Sequence, residues 1–332
     1  MGLKLIRITA QAFLGVVNAV YCEDTTRSEF ESYFSGSKIS NRRLSIVKND
    51  EIHMKVVILC GGKGTRLREE TEFRPKPMVP IGGQPILWHI MKIYAHYGHR
   101  EFILCLGYKA EMIRDYFRNY LWNTCDATLK LGRAPDVRFH NRHDEEDWTV
   151  TLAYTGRESG TAHRMKLVQK YLTQEKTFLL TYGDGVSNID INESIGCHEN
   201  AGKICTLAAV HPAGRYGALS IDEGGRIHTF SEKPQVEAAY ISGGFMVCDY
   251  KIFRYLERGP EIMFEREPIA DLVRDGELNS YRHDGFWQSM DTYQEAQYLN
   301  HLWQTGAAPW KVWSDRAPVK ASAAANTVKA KK

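Results

Sequence analysis

The chain has 332 residues, 43% of them hydrophobic and 25% charged, with a formal net charge of +3. That composition suits a globular protein with a sizeable core, in one large domain or two ordinary ones. A balance this close to neutral argues against nucleic acid or a membrane surface as partner, so any preference for anions must come from local clusters.

Seven cysteines are an odd number, and no two form a Cys-x-x-Cys pair. Cys60, Cys105, Cys205 and Cys248 sit inside apolar runs, as buried thiols of a reducing cytoplasm do, rather than as disulfides or zinc ligands. A cytoplasmic location is therefore expected. No apolar run reaches membrane-spanning length.

The first 53 residues stand apart. Lys4-Leu5-Ile6-Arg7 and the stretch to Tyr21 have the outline of a leader, but Thr9, Gln11 and Asn18 interrupt it and no Ala-x-Ala site follows. Residues 22–50 are polar and aperiodic, a linker composition. Residues 1–53 are expected to be a poorly ordered extension.

The ordered part begins at Met54. Lys55 to Leu59 is a short apolar run bounded by glycines, the mark of a buried parallel strand. Gly61, Gly62 and Gly64 follow within four residues. Glycine lets backbone N–H groups approach an anion, and consecutive amides in such a turn make a concave anion site. Lys63 and Arg66 add charge that suits a polyphosphate. The loop is not a Walker A motif, because Gly62-Lys63 is followed by Gly64 rather than Ser or Thr. Nor is it a dinucleotide fingerprint, whose third glycine is here Leu67. Cys60 beside it reads as a small strand residue, since no histidine is placed to act as its base.

Next, Pro75 and Pro77 should hold Lys76 in an extended backbone. Ile86, Leu87, Ile90, Ile93, Tyr94 and Tyr97 recur at helical spacing, and Gly98 ends the helix. Residues 102–106 form a second buried strand, with Gly107 at its carboxyl end, where ligands bind in open α/β sheets. Met112, Tyr116 and Tyr120 continue a helical face. Residues 122–160 are less regular, with a strand over 148–154. His140, His143, Asp144, Glu145 and Asp147 fit no standard ligand spacing and read as a solvated charged loop. Thr161 to Arg164 open a helix whose N-terminus favours an anion.

Residues 177–182 form an apolar strand that runs straight into Gly183-Asp184-Gly185. An aspartate there can bind Mg²⁺ beside a nucleotide, or simply make an Asp-Gly turn. A helix through Ile191, Ile195 and His198, a strand over 204–210 and a hairpin over 215–230 follow. The hairpin ends in Ser231-Glu232-Lys233-Pro234. Gly243 and Gly244 precede another strand, either as room for a ring or as a bulge. Helices lie around 268–273 and 292–303, and Asp291 reads as an N-cap of the latter. Residues 314–332 have a disordered-tail composition.

Gly-Gly-x-Gly-Thr-Arg-Leu followed by Arg74-Pro75-Lys76-Pro77-Met78 resembles the sugar-1-phosphate nucleotidylyltransferases, over about residues 54–313. The run from Lys76 to Lys92, the motif Phe286-Trp287-Gln288-Ser289-Met290-Asp291-Thr292 and Ala308-Pro309-Trp310-Lys311 look most like the glucose-1-phosphate cytidylyltransferase branch. The resemblance implies a Rossmann-like α/β fold: a mixed, mainly parallel sheet flanked by helices, with a smaller C-terminal portion. It implies a nucleotide-binding half over 54–185 and a sugar-phosphate and assembly half over 186–313. Met54 matches the usual family start, so residues 1–53 are also explained by a start assigned upstream.

The implied substrates are CTP and glucose 1-phosphate, the implied cofactor is Mg²⁺, and the implied assembly is a homo-oligomer, trimeric or hexameric, with 122–160 as an interface. By the same resemblance Leu59, Cys60, Gly61, Gly62, Lys63, Gly64, Thr65, Arg66, Lys76, Gly107, Thr161, Arg164 and Gly183 surround the nucleotide. Tyr216, Gly217, Glu232, Lys233, Gly243 and Gly244 surround the sugar phosphate. Asp184 and Asp291 hold the metal, and Arg66, Lys76 and Lys233 carry catalysis. Cytosine over uracil or thymine rests on resemblance alone, so a uridylyl- or thymidylyltransferase stays open. A non-catalytic regulatory relative should have lost Arg66, Lys76, Asp184 or Lys233, and all four are present. A glycosyltransferase would want an Asp-x-Asp motif that Gly183-Asp184-Gly185 does not supply.

Overall fold

A computed structural model describes residues 53–132, 136–140, 145, 147–212, 218–221, 226–231 and 240–314. The expected extension over 1–52 and the tail over 315–332 lie outside the described residues. So do Tyr216, Gly217, Glu232 and Lys233, together with His143 and Asp144.

Seven strands form the central sheet: β1 (Lys55–Leu59), β2 (Glu101–Leu106), β3 (Thr149–Tyr154), β4 (Thr177–Tyr182), β5 (Cys205–Val210), β6 (Ile241–Asp249) and β7 (Leu278–His283). Their spatial order is β7-β5-β6-β4-β1-β2-β3. All run in one direction except β6, which is antiparallel to both β4 and β5. The expected mixed, mainly parallel sheet is thus what forms, and it runs unbroken from the first half of the chain into the second.

Period-two burial explains the two cores. Val56 and Ile58 face one side of the sheet, against helix α1 (Ile86–His96) and the C-terminal segment. Val57 and Leu59 face the other, against helix α3 (Thr161–Val168), Phe178 and Phe253. All four are fully or nearly fully buried, each worth about 1.5–3 kcal/mol of apolar transfer. Between α1 and α3 lies α2 (Ala110–Arg118), which stops at Asn119; Tyr120 begins a separate short helix instead of continuing α2. Gly98, at φ +91°, closes α1 as its position suggested.

The chain leaves β1 toward β2 on one side and leaves β4 toward β6 and β5 on the other. β1 and β4 are neighbours in register, with Leu59 opposite Tyr182. Their carboxyl ends therefore flank the topological switch point, the crevice where open α/β sheets bind ligands.

Three local expectations need correction. Lys76 is not extended: Lys76–Met78 closes into a 3₁₀ turn, with Met78 N donating to Pro75 O at 2.8 Å and Val79 N to Lys76 O at 3.1 Å. A proline just inside a helical turn loses no hydrogen bond, which is why Pro77 permits it. Gly243 and Gly244 lie inside β6 rather than before it, where the β5 register shifts between Leu207 and Ala209. Gly244, at φ +77°, makes the bulge. Glu145 is not a solvated loop residue. It is buried and accepts from Lys92 Nζ at 3.2 Å, while Asp147 pairs with Arg100 at 3.1 Å. The two contacts fasten Glu145 and Asp147 to the body of the fold.

Candidate active site

Asp184 and Asp291 are brought together by a ribbon too short to see in the sequence. Gly185–Ser187 pairs antiparallel with Trp287–Ser289, Gly185 opposite Ser289. One step further out, Met290 N donates to Asp184 O at 2.9 Å. Asp184 leaves this ribbon at one end of one strand, and Asp291 follows the other. Helix α4 (Tyr293–Gln304) fixes the second arm. Its Asn300 donates to Pro80 O at 3.1 Å and accepts from Gly82 N at 2.9 Å. Trp303 and Trp310 pack around His89 of α1. Burial lowers the His89 pKa to about 4, so this is a neutral core imidazole. Asp291 is not the N-cap of α4. Thr292 is, in a capping box with Glu295, and this leaves the Asp291 carboxylate free to turn into the cleft.

Both carboxylates converge on one cation. Lys76 Nζ lies 2.7 Å from Asp184 Oδ2 and 2.5 Å from Asp291 Oδ1. Arg66 Nη1 takes the other oxygen of Asp291 at 3.0 Å. The Lys76 side chain is only 9% exposed. Burial works against its charge, but the two aspartates outweigh burial and raise its pKa above the ordinary lysine value.

Across from this cluster runs the glycine loop. Among the described residues, the N–H groups of 61–66 meet no protein acceptor. They line a cleft of about 520 Å³ together with Leu59, Cys60, Lys76, Thr161, Arg164, Gly183, Asp184 and Asp291. Gly64, at φ +62°, makes the loop's left-handed step, and an added Cβ would stand 2.8 Å from Thr71 Cγ2. Gly243 and Gly244 line a smaller recess that shares Tyr182 and Asp184 with the cleft. Its wall is fixed by Trp287 Nε1 donating to Gly243 O at 2.7 Å. Cys60 is fully buried, and burial pushes its thiol well above the usual range, so it is not a nucleophile.

Gly107 stands behind the loop, outside the cleft's lining, while Arg164 lines the cleft and also braces the loop. The Arg164 guanidinium donates to Gly156 O at 2.7 Å, Thr155 Oγ1 at 2.9 Å and Gly61 O at 3.0 Å, and more weakly to Leu106 O and Arg157 O. Four carbonyls and the Thr155 hydroxyl hold it, and through Gly61 O it braces the loop. The N-terminus of α3 is not bare either: Gly160 N donates to Pro260 O at 2.8 Å and Ala162 N to Ile262 O at 3.2 Å. Those two amides are satisfied by protein, while Thr161 itself stays in the lining of the cleft.

Sequence reasoning passed over Glu265, which accepts from Thr161 Oγ1 at 2.7 Å and from the Tyr182 hydroxyl. It therefore ties the Thr161 wall of the cleft to the Tyr182 side of the recess. It also passed over Arg157 and Glu158, the latter paired with Lys63 at 2.6 Å. Nothing in their local sequence marks them; only the fold folds them over the loop.

The nucleotidyl transferase family model matches residues 55–315. Glucose-1-phosphate cytidylyltransferase of Salmonella typhi is 46% identical over 260 residues, 78% of this chain and all of that protein. The probable glucose-1-phosphate cytidylyltransferase of Bacillus subtilis is 45% identical over the same shares. Among solved structures, HddC from Yersinia pseudotuberculosis superposes with a TM-score of 0.54 at 22% identity, covering 75% of this chain and 99% of that one. This last likeness speaks for the fold.

Proposed function

The chain belongs to the nucleotidyl transferase family, and on that premise we propose that it transfers a cytidylyl group from CTP to glucose 1-phosphate. A phosphate oxygen of the sugar attacks the α-phosphorus of CTP in line. The bond to the β-phosphate oxygen breaks, and diphosphate leaves as CDP-glucose forms. The attacking oxygen is already an anion, so no general base is needed. What the protein must supply is orientation of two mutually repelling anions and compensation for the charge that builds up.

The observation that carries this reading is the convergence of Asp184, Asp291 and Lys76 opposite unpaired loop amides. The amides of 61–66 with Lys63 and Arg66 bind the triphosphate, and Arg66 covers the departing diphosphate. Lys76, released from its carboxylates, and Lys233 bring the sugar phosphate in. The glycines of the recess leave space for the sugar ring. The donor set fits a divalent ion, since two carboxylates from separate segments already point at one cationic centre. Divalent-metal dependence is general in the family. Asp184 and Asp291 would hold Mg²⁺, which when bound adds Lewis-acid charge at the α-phosphate.

Cytosine and glucose come from the relatives' activity. Incubation of the protein with glucose 1-phosphate and each nucleoside triphosphate should release diphosphate with CTP and stop on addition of EDTA. Faster turnover with UTP or dTTP would favour the uridylyl- or thymidylyltransferase reading. Assembly as a homo-oligomer belongs to the same proposal. It is supported by apolar side chains left exposed in the 122–160 segment, Trp122, Leu129 and Leu131. A monomeric mass by light scattering would refute it.

A further inference from the structure

We propose that Lys76 is a built-in counter-ion that closes the two-carboxylate site to free divalent cations, so that the metal enters only together with the nucleoside triphosphate. This rests on the reading of Asp184 and Asp291 as the metal's ligands.

The geometry leaves a free cation little to bind. Lys76 Nζ takes one oxygen from each aspartate, at 2.7 and 2.5 Å, and Arg66 takes the remaining oxygen of Asp291 at 3.0 Å. The two carboxylate charges are thus already balanced by two side-chain cations. A lone metal ion would have to displace Lys76, whose side chain is almost wholly buried. A buried ammonium without a partner is strongly unfavourable.

A metal–triphosphate complex changes that balance. Its phosphate oxygens give Lys76 and Arg66 new anionic partners in the same cleft. They also provide the remaining oxygen ligands that a magnesium ion demands. Displacement then exchanges one set of charge pairs for another. By linkage, the nucleotide must tighten the metal as much as the metal tightens the nucleotide.

The movement required is small. The Lys76 stem crosses Gly64, whose added Cβ would stand 3.2 Å from Lys76 Cβ and 3.7 Å from Lys76 Cδ. Its backbone is pinned by the turn at Lys76–Met78. Only the end of the side chain need turn away from the aspartates, and the same turn delivers the ammonium to the phosphates. One residue thereby both guards the metal site and joins the reaction once the site is filled.

Mn²⁺ binding, read by electron paramagnetic resonance and water-proton relaxation, tests this without turnover. Wild type without nucleotide should bind Mn²⁺ at least about tenfold more weakly than Lys76→Met, a floor well below what one like charge a few ångströms away exerts in a poorly solvated cleft. CTP should tighten Mn²⁺ on wild type far more than on Lys76→Met. Equal nucleotide-free affinity in the two proteins overturns the proposal. If Lys76→Met does not fold, wild type alone decides: Mn²⁺ binding that CTP leaves unchanged overturns it. Failure of the metal reading looks different. There, wild type with CTP would hold no Mn²⁺ beyond what CTP holds in solution, or binding to Lys76→Met would survive Asp184→Asn.

Discussion

Asp184→Asn should lower kcat by about a hundredfold to a thousandfold while leaving the protein folded, the range for losing one well-aimed electrostatic group at a reacting centre. The substitution keeps the shape of the side chain and removes its charge. The backbone is indifferent to it, because the ribbon is held by the Asp184 carbonyl, which Met290 N still reaches. Lys76 keeps Asp291 at 2.5 Å, so no buried cation is orphaned. Asp184 is about one-third exposed, so solvent screens the lost pair, and about 1 kcal/mol of stability is at stake. Diphosphate release and a thermal melt measure the two quantities together. Arg66→Ala should behave alike, since a side chain 73% exposed contributes little to the fold. Activity within tenfold of wild type in either variant, or a collapse of the melting temperature, would remove these residues from the proposed chemistry.

The contrast between these residues and their surroundings explains what a sequence can carry. β1, β2 and β4 were legible because each is an apolar run punctuated by glycine, and the parallel arrangement follows from burial on both faces. Asp184 was legible as a carboxylate at the end of such a run. Its meeting with Asp291 was known only through resemblance, because the ribbon that produces it is three residues on each side, below any periodic signal. Lys76 was expected beside a phosphate. That it neutralises both aspartates depends on where two distant segments end, which no local pattern encodes. The α3 N-terminus was only partly legible for a related reason. All its amides look free in the sequence, and the carbonyls that take up those of Gly160 and Ala162 arrive from residues 260 and 262. The bonds of Arg164 were hidden in the same way: its acceptors, Gly61 O in the loop and the carbonyls of Leu106, Gly156 and Arg157 outside it, are brought together only by the fold.

Arg164 is therefore expected to matter for architecture first. Arg164→Met should destabilise the protein by about 3–5 kcal/mol, because the Gly156 and Arg157 carbonyls would be left without a donor, at about 1–3 kcal/mol each. The carbonyls of Gly61, Leu106, Gly156 and Arg157 would each lose a donor. Gly61→Ala should fail by the same route from the opposite side. A Cβ on Gly61 would stand 2.1 Å from Arg164 Nη1 and 2.3 Å from Arg164 Cζ, so the guanidinium must leave its place. Gly62 is the internal control: a Cβ there meets nothing within 4 Å, and Gly62→Ala should change stability by no more than about 0.5 kcal/mol. Because the two damaging substitutions break one set of bonds, their effects should overlap. In denaturant titrations the double variant should fall short of the sum by about 1 kcal/mol or more. Strict additivity would mean that Gly61 is required for a reason other than the arginine lying against it. The glycine loop would then owe its shape to its own glycines and not to the buried cation behind them.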